Sequence, residues 1–130
     1  MKSRITHPEL SQPSSFVSSA VACDGWLTIS GQGPLSMATK AVVSGTIEEE
    51  TLLTLKNLEQ ILLAAGCSRN DVVRCTCYIA DLADFAGFNT TYADFFKAEV
   101  PPARTTVQTG LLNGIKVEID AIARCTINKE

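Results

Sequence analysis

One histidine, His7, is all that a chain of 130 residues carries, and this scarcity removes several chemistries at once. A Ser-His-Asp triad and an imidazole-ligated zinc centre both need histidines that the fold places among partners. His7 stands in an N-terminal arm reading MKSRITHPELSQ, and no HExxH helix occurs. Long hydrophobic runs are also missing: nothing approaches the roughly 20 apolar residues that span a bilayer. The basic residues at the start have no apolar segment behind them of the kind a secretory signal needs. No block of Lys and Arg occurs, and 11 basic against 14 acidic residues leave a net charge of −3. Nucleic-acid and anionic-membrane partners are therefore disfavoured, because their affinity rests on neutralising phosphates or headgroups. The expectation is a cytoplasmic protein without a membrane partner.

Cysteine is present in odd number: Cys23, Cys67, Cys75, Cys77 and Cys125. Without a targeting signal these read as reduced thiols. Cys75 and Cys77, two apart on a strand, project from one face and read as small core hydrophobes rather than a redox or metal pair. Gly31-Gln32-Gly33-Pro34 is too short for a phosphate loop and lacks the GK[ST] that should follow. No residue pattern implies a metal or an organic cofactor.

What is present is an ordinary globular composition, 45% apolar and 19% charged, in a chain of single-domain length, residues 1–130. Thr46-Ile47-Glu48-Glu49 is a capping box that opens a helix. Glu48, Glu49 and Glu50 set negative charge at the positive end of its dipole. Leu52, Leu55, Leu58, Ile61, Leu62 and Ala65 form its apolar stripe, and Gly66 ends it. VVRCTCYIA (72–80) reads as a strand, with Val73, Cys75, Cys77 and Ile79 on one face. A second helix follows with Asp81 as N-cap; Phe85, Phe88, Tyr92, Phe95 and Phe96 make an aromatic core stripe, and Pro101-Pro102 closes it. Residues 104–109 and 115–127 read as strands around an Asn113-Gly114 turn. Residues 18–23 and 26–30 form a hairpin about Asp24-Gly25, and a short strand is expected at 41–44.

The order predicts an α+β fold, a mixed sheet of about six strands with two helices on one face. The other sheet face stays partly apolar with no helix left to cover it, so self-association is expected.

Two residues draw attention. Arg104 stands at a strand entrance behind Pro102-Ala103, and Glu118 lies in Val117-Glu118-Ile119-Asp120-Ala121-Ile122-Ala123. By periodicity alone Glu118 is an outward, solvated carboxylate, and Arg104 makes a surface salt bridge. A guanidinium fork can hold a small carboxylate-bearing metabolite and a carboxylate can handle its protons, but periodicity alone assigns neither role.

Several segments taken in order resemble the Rid (YjgF-like) family. They are Ile29-Ser30-Gly31-Gln32-Gly33-Pro34, Asn57-Leu58, Ala64-Ala65-Gly66-Cys67-Ser68 and Asp71-Val72-Val73. Asp81, Asp84-Phe85, Phe88-Asn89, Tyr92, Phe95-Phe96, Pro102-Ala103-Arg104 and the stretch around Glu118 complete the set. One single-residue gap falls between Arg104 and Glu118. The resemblance implies a chorismate-mutase-like fold, a homotrimer with clefts between subunits, and hydrolysis of 2-imino or enamino acids to keto acids and ammonia. It gives Arg104 the role of substrate-carboxylate anchor and Glu118 that of water-orienting carboxylate. Thr106 then offers a backbone N–H, and Ser30, Gly31 and Asn89 line the cleft. The family's active-site tyrosine falls on Val17, which makes that wall apolar and bears on the substrate. The alternatives are a non-catalytic metabolite-binding or regulatory trimer and, disfavoured by the acidic balance, an endoribonuclease.

Overall fold

The computed structural model describes residues 1–6 and 16–126. His7 and the last residue of the 115–127 strand lie outside the described residues. Six strands and two α-helices follow in order: β1 (Ser3–Arg4), β2 (Ala20–Cys23), β3 (Trp26–Gln32), α1 (Ile47–Ala64), β4 (Val72–Ile79), α2 (Phe85–Phe95), β5 (Ala103–Gln108) and β6 (Val117–Arg124). The sheet order is β1-β2-β3-β6-β4-β5. Every neighbouring pair is antiparallel except β4–β5. The architecture is α+β, as expected.

Local chemistry explains the element ends. Asp24 and Gly25 both take positive φ, 54° and 84°, as a two-residue hairpin loop matched to strand twist requires. At α1 the Thr46 hydroxyl accepts from the Glu49 N–H at 3.1 Å, and the Thr46 N–H donates to the Glu49 carboxylate at 2.8 Å. The helix closes in a Schellman arrangement: Gly66 is left-handed, its N–H reaches the Leu63 carbonyl, and the Cys67 N–H reaches that of Leu62.

α1 packs on β3 and β6, and α2 lies against α1. Leu27, Ile29, Leu55, Leu58, Ile61, Leu62, Val117 and Ile119 are buried between the layers. The inward arc of α1 is turned from the expected stripe: Leu52 is exposed, while Glu50, Thr51 and Thr54 are buried. Burying a carboxylate is costly unless it is bonded. Glu50 accepts from the N–H of Gly45 at 3.2 Å, the N–H of Lys116 at 2.9 Å and Lys116 Nζ at 3.2 Å. It thereby clips the entrance of β6 to the start of α1.

The expected alternation of β4 fails at its beginning. Val72 is buried and Val73 exposed, because the register against β6 shifts between Val72 and Arg74; this is a bulge. Cys75, Cys77 and Ile79 do face the core. Burial pushes the Cys75 thiol up to about 11 and that of Cys77 higher still, the behaviour of inert core thiols. Asp81 caps a short 3₁₀ turn, Leu82–Asp84, ahead of α2 rather than α2 itself. Residues 41–44 contribute only an isolated bridge, Leu35 to Val42. β1 was not anticipated, since two residues carry no periodicity.

The thiol reading is corrected. Cys67, just past α1, and Cys125, just past β6, form a disulfide with Cα atoms 5.9 Å apart, leaving Cys23, Cys75 and Cys77 free. The helix end and strand end meet only in three dimensions, 58 residues apart in sequence. A loop of this size predicts that reduction lowers stability by about 2–4 kcal/mol. Denaturant midpoints with and without reductant should differ accordingly; equal midpoints would mean the thiols are not joined in solution.

The sheet face away from the helices carries exposed Trp26 and Val107. No helix among the described residues is long and apolar enough to cross a membrane.

Candidate active site

β5 lies at the sheet edge beside β4, with Arg104 next to Cys75 and Thr106 next to Cys77. Those cysteines face the helices, so Arg104 and Thr106 do too. The Arg104 guanidinium rests against α2, 4.7 Å from the Tyr92 ring, 5.5 Å from Phe88 and 5.8 Å from Phe85. One of its N–H groups donates to Asn89 Oδ1 at 2.8 Å. Residues 85, 88, 89 and 92 occupy one face of α2 through spacings of three and four. The stripe read as core is also the cradle of this arginine, holding the cation over π faces while Asn89 sets its rotation. Thr106 Oγ1 is buried without a hydrogen-bond partner among the described residues.

Glu118 belongs to a second cluster. β6 runs between β3 and β4, and Glu118 stands opposite Tyr78 on the sheet face away from the helices. Asp120 shares that face and accepts a hydrogen bond from the Tyr78 hydroxyl at 3.0 Å. The β3–β6 register is irregular between Ile29 and Gln32, which sets Gly31 against Glu118. A Cβ at position 31 would collide with the Glu118 carboxylate, so glycine is needed there for close approach. Burial, and secondarily the charge of Asp120, hold the Glu118 carboxyl above its ordinary range.

Ser30 is tied into the same edge. Its hydroxyl donates to the Ser18 carbonyl at 2.6 Å, and its N–H to the Ser19 carbonyl at 2.9 Å. Val17, half exposed, precedes this anchor by one residue and brings no hydroxyl to it. From beneath, the buried Asn57 donates through Nδ2 to the carbonyls of Gly33 and Leu35, at 3.0 and 2.8 Å. The loop beyond Gly31 is thus pinned to α1.

The sequence-predicted residues therefore fall into two sets. Arg104, Asn89 and Thr106 sit together on the helix side at the β5 edge. Gly31 and Glu118 sit across the sheet, with Ser30 next to Gly31 in the chain and Val17 next to the Ser18 that Ser30 bonds. One chain does not bring Arg104 and Glu118 together. The alternation of β6 already sets Asp120 on the face of Glu118. Sequence reasoning missed Tyr78 as their cross-strand neighbour and Asn57 as the support of the 33–35 loop, because partners across strands have no sequence signal. Among the described residues, the grouping Cys67, Asp71 and Cys125 brings metal-ligand atom types within reach of one another, but its two sulfurs are joined to each other.

A six-stranded mixed sheet with two helices on one side, an arginine caged at its edge and a carboxylate on its open face define a small α+β protein. The chain belongs to the Rid (YjgF) family: the family model for Endoribonuclease L-PSP matches residues 8–125. The mouse 2-iminobutanoate/2-iminopropanoate deaminase is 43% identical over 107 residues, covering 82% of this chain and 78% of the mouse protein. The structure of YyfA from Yersinia pestis, a Rid family protein of unknown function, aligns with a TM-score of 0.90 at 35% identity, over 95% of this chain and 99% of that one. Escherichia coli TdcF with bound serine aligns at 0.86 and 30% identity, over 95% of this chain and 99% of that one. Imine deamination is thus a chemistry of this family.

Proposed function

We propose that the protein hydrolyses the C=N bond of a 2-imino acid, or of the enamine in equilibrium with it, giving a 2-keto acid and ammonia. The site is one that two subunits of a homotrimer complete. The observation that carries this reading is the caged Arg104, whose fork keeps donors beyond the one spent on Asn89 and matches a carboxylate through paired N–H···O bonds. The names of the deaminase relatives and the serine bound by TdcF, itself a carboxylate, point the same way. The separation of Arg104 from Glu118 across the sheet favours a composite site, with Arg104 from one subunit facing Glu118 of the next. The exposed Trp26 and Val107 on the open sheet face supply apolar surface for that contact.

The chemistry needs little else. A protonated imine is already electrophilic, so orientation and modest proton transfer suffice. Arg104 fixes the substrate carboxylate, and Glu118 takes a proton from the attacking water. The same carboxyl then delivers that proton to the departing nitrogen. A carboxyl held above its ordinary range by burial is better matched to both steps than a solvated one. Val17 leaves the Ser30 side of the cleft apolar, favouring larger side chains.

The test couples an amino-acid oxidase, which makes the imine in situ, to ammonia release. Arg104→Ala should lose substrate binding by about 1.5–3 kcal/mol, roughly 10- to 150-fold. Arg104→Lys should recover little, since a point charge cannot replace the fork. A parent protein that releases no ammonia above the spontaneous rate would leave a metabolite-binding trimer as the reading, to which Val17 already lends weight.

A further inference from the structure

We propose that Tyr78 and Asp120 form a pair of positioning residues for Glu118, in which the phenol fixes Asp120 and the charge of Asp120, added to the effect of burial, helps set when Glu118 holds its proton. The inference rests on the deaminase reading for its meaning, though not for its test.

Three side chains occupy one patch of the open sheet face. Glu118 and Asp120 are two apart on β6 and project together. Tyr78 stands directly across from Glu118 on β4, yet its hydroxyl leans one step along the strand and donates to Asp120 Oδ2 at 3.0 Å. The chain holds two tyrosines, and the other, Tyr92, is buried beneath Arg104. Tyr78 is thus the one phenol on the Glu118 face of the sheet.

Among the described residues, the other polar groups near Glu118 are uncharged or engaged elsewhere. On β5, the residues sharing this face, Thr105 and Val107, are uncharged. Arg74, farther along β4, is bonded to Thr105 Oγ1 at 2.7 Å. Gly31 faces Glu118 from β3 without charge, and the neighbouring Ser30 hydroxyl is spent on the Ser18 carbonyl. Lys116, which begins the approach to β6, is engaged by Glu50 on the helix side. In the composite site proposed above, Arg104 of the partner subunit would add its charge together with the substrate carboxylate it binds.

Asp120 repels a second negative charge at Glu118, and it contributes to holding that carboxyl up. The phenol donates into Asp120 and offsets part of its charge. The two members of the pair therefore act on Glu118 in opposite senses. An ordinary cross-strand tyrosine–carboxylate contact would contribute to sheet stability alone. It would leave no directional mark on the titration of a third residue.

The experiment is a ¹³C NMR titration of the Glu118 carboxyl, assigned by the signal missing from Glu118→Gln, in the parent, Asp120→Asn and Tyr78→Phe proteins. Asp120→Asn removes the like charge, so the Glu118 midpoint should fall by about half a pH unit or more. Tyr78→Phe strips the donor from Asp120, so the midpoint should rise. The acid limb of kcat/KM for ammonia release should move the same way in each variant. Opposite shifts in folded variants establish the pair even if no deaminase activity is found, an outcome that would overturn the functional reading alone. Midpoints that stay put, or shift in the same direction in both variants, overturn the pair whatever the activity.

Discussion

Glu118→Gln should cost turnover about 10²- to 10⁴-fold while binding of a 2-keto acid stays within a few-fold of the parent. The amide keeps the shape of the carboxylate, so it fits under Gly31, where no side chain could be added. It keeps hydrogen-bonding capacity but cannot take a proton from water. The same variant carries a stability signature of opposite sign. The carboxyl of Glu118 is raised in the folded protein by burial and by Asp120. A raised acid adds stability when protonated, and that contribution is lost as pH climbs through the folded-state value. At neutral pH the parent thus bears the cost of an ionised, half-buried Glu118, and the glutamine variant does not. Glu118→Gln should be at least as stable as the parent near pH 7, with any advantage vanishing under acid conditions. Loss of turnover together with lower stability at neutral pH would mark Glu118 as a structural residue. Unchanged ammonia release would remove it from the mechanism.

The residues that could be read in advance are those whose signals are local. The capping box at Thr46, the left-handed Gly66 and the Asp24-Gly25 turn each settle an element end within a few residues, and all three stand in the structure. The alternation of β6 likewise sent Val117, Ile119, Ala121 and Ala123 inward and Glu118 outward. What escaped depends on partners far away in sequence. The Val72–Arg74 bulge arises from register against β6, and the Cys67–Cys125 bridge from the meeting of a helix end and a strand end. Glu50 looked like one of three dipole-facing acids, but Lys116, 66 residues on, turns it into a buried clip. The candidate site shows the same division. Arg104 and Glu118 were legible as residues, through the resemblance and the chemistry of their side chains. That α2 aromatics cage one and that the sheet separates it from the other follow only from strand order.

Mixing two inactive proteins should restore activity, and this is the sharpest consequence of that separation. Arg104→Ala keeps Glu118, and Glu118→Gln keeps Arg104; each alone has every site disabled. If a site takes Arg104 from one subunit and Glu118 from its neighbour, co-assembly after unfolding and refolding brings intact partners together at some interfaces. In a cyclic trimer each interface has one orientation. With equal amounts and random assortment, the chance that the Arg104 side is intact is about one half, as is that for the Glu118 side. About one quarter of the parent activity should therefore return, against almost none for either variant refolded alone. The recovered species should elute as a trimer, and separately refolded variants mixed afterwards should gain activity only as fast as subunits exchange. The alternative is equally definite. A site assembled within one chain, by a rearrangement carrying Arg104 around the β5 edge, leaves every chain in the mixture disabled, and refolding together would restore nothing. The experiment separates the two architectures without knowledge of the physiological substrate, because any imine that the parent turns over will report on the pairing. Adding Tyr78→Phe to the Arg104→Ala chain extends the logic: that chain contributes the Glu118 of every restored site. The acid limb of the recovered activity should therefore rise, as it would if the change were made throughout, whereas Tyr78→Phe on the Glu118→Gln chain should leave it in place.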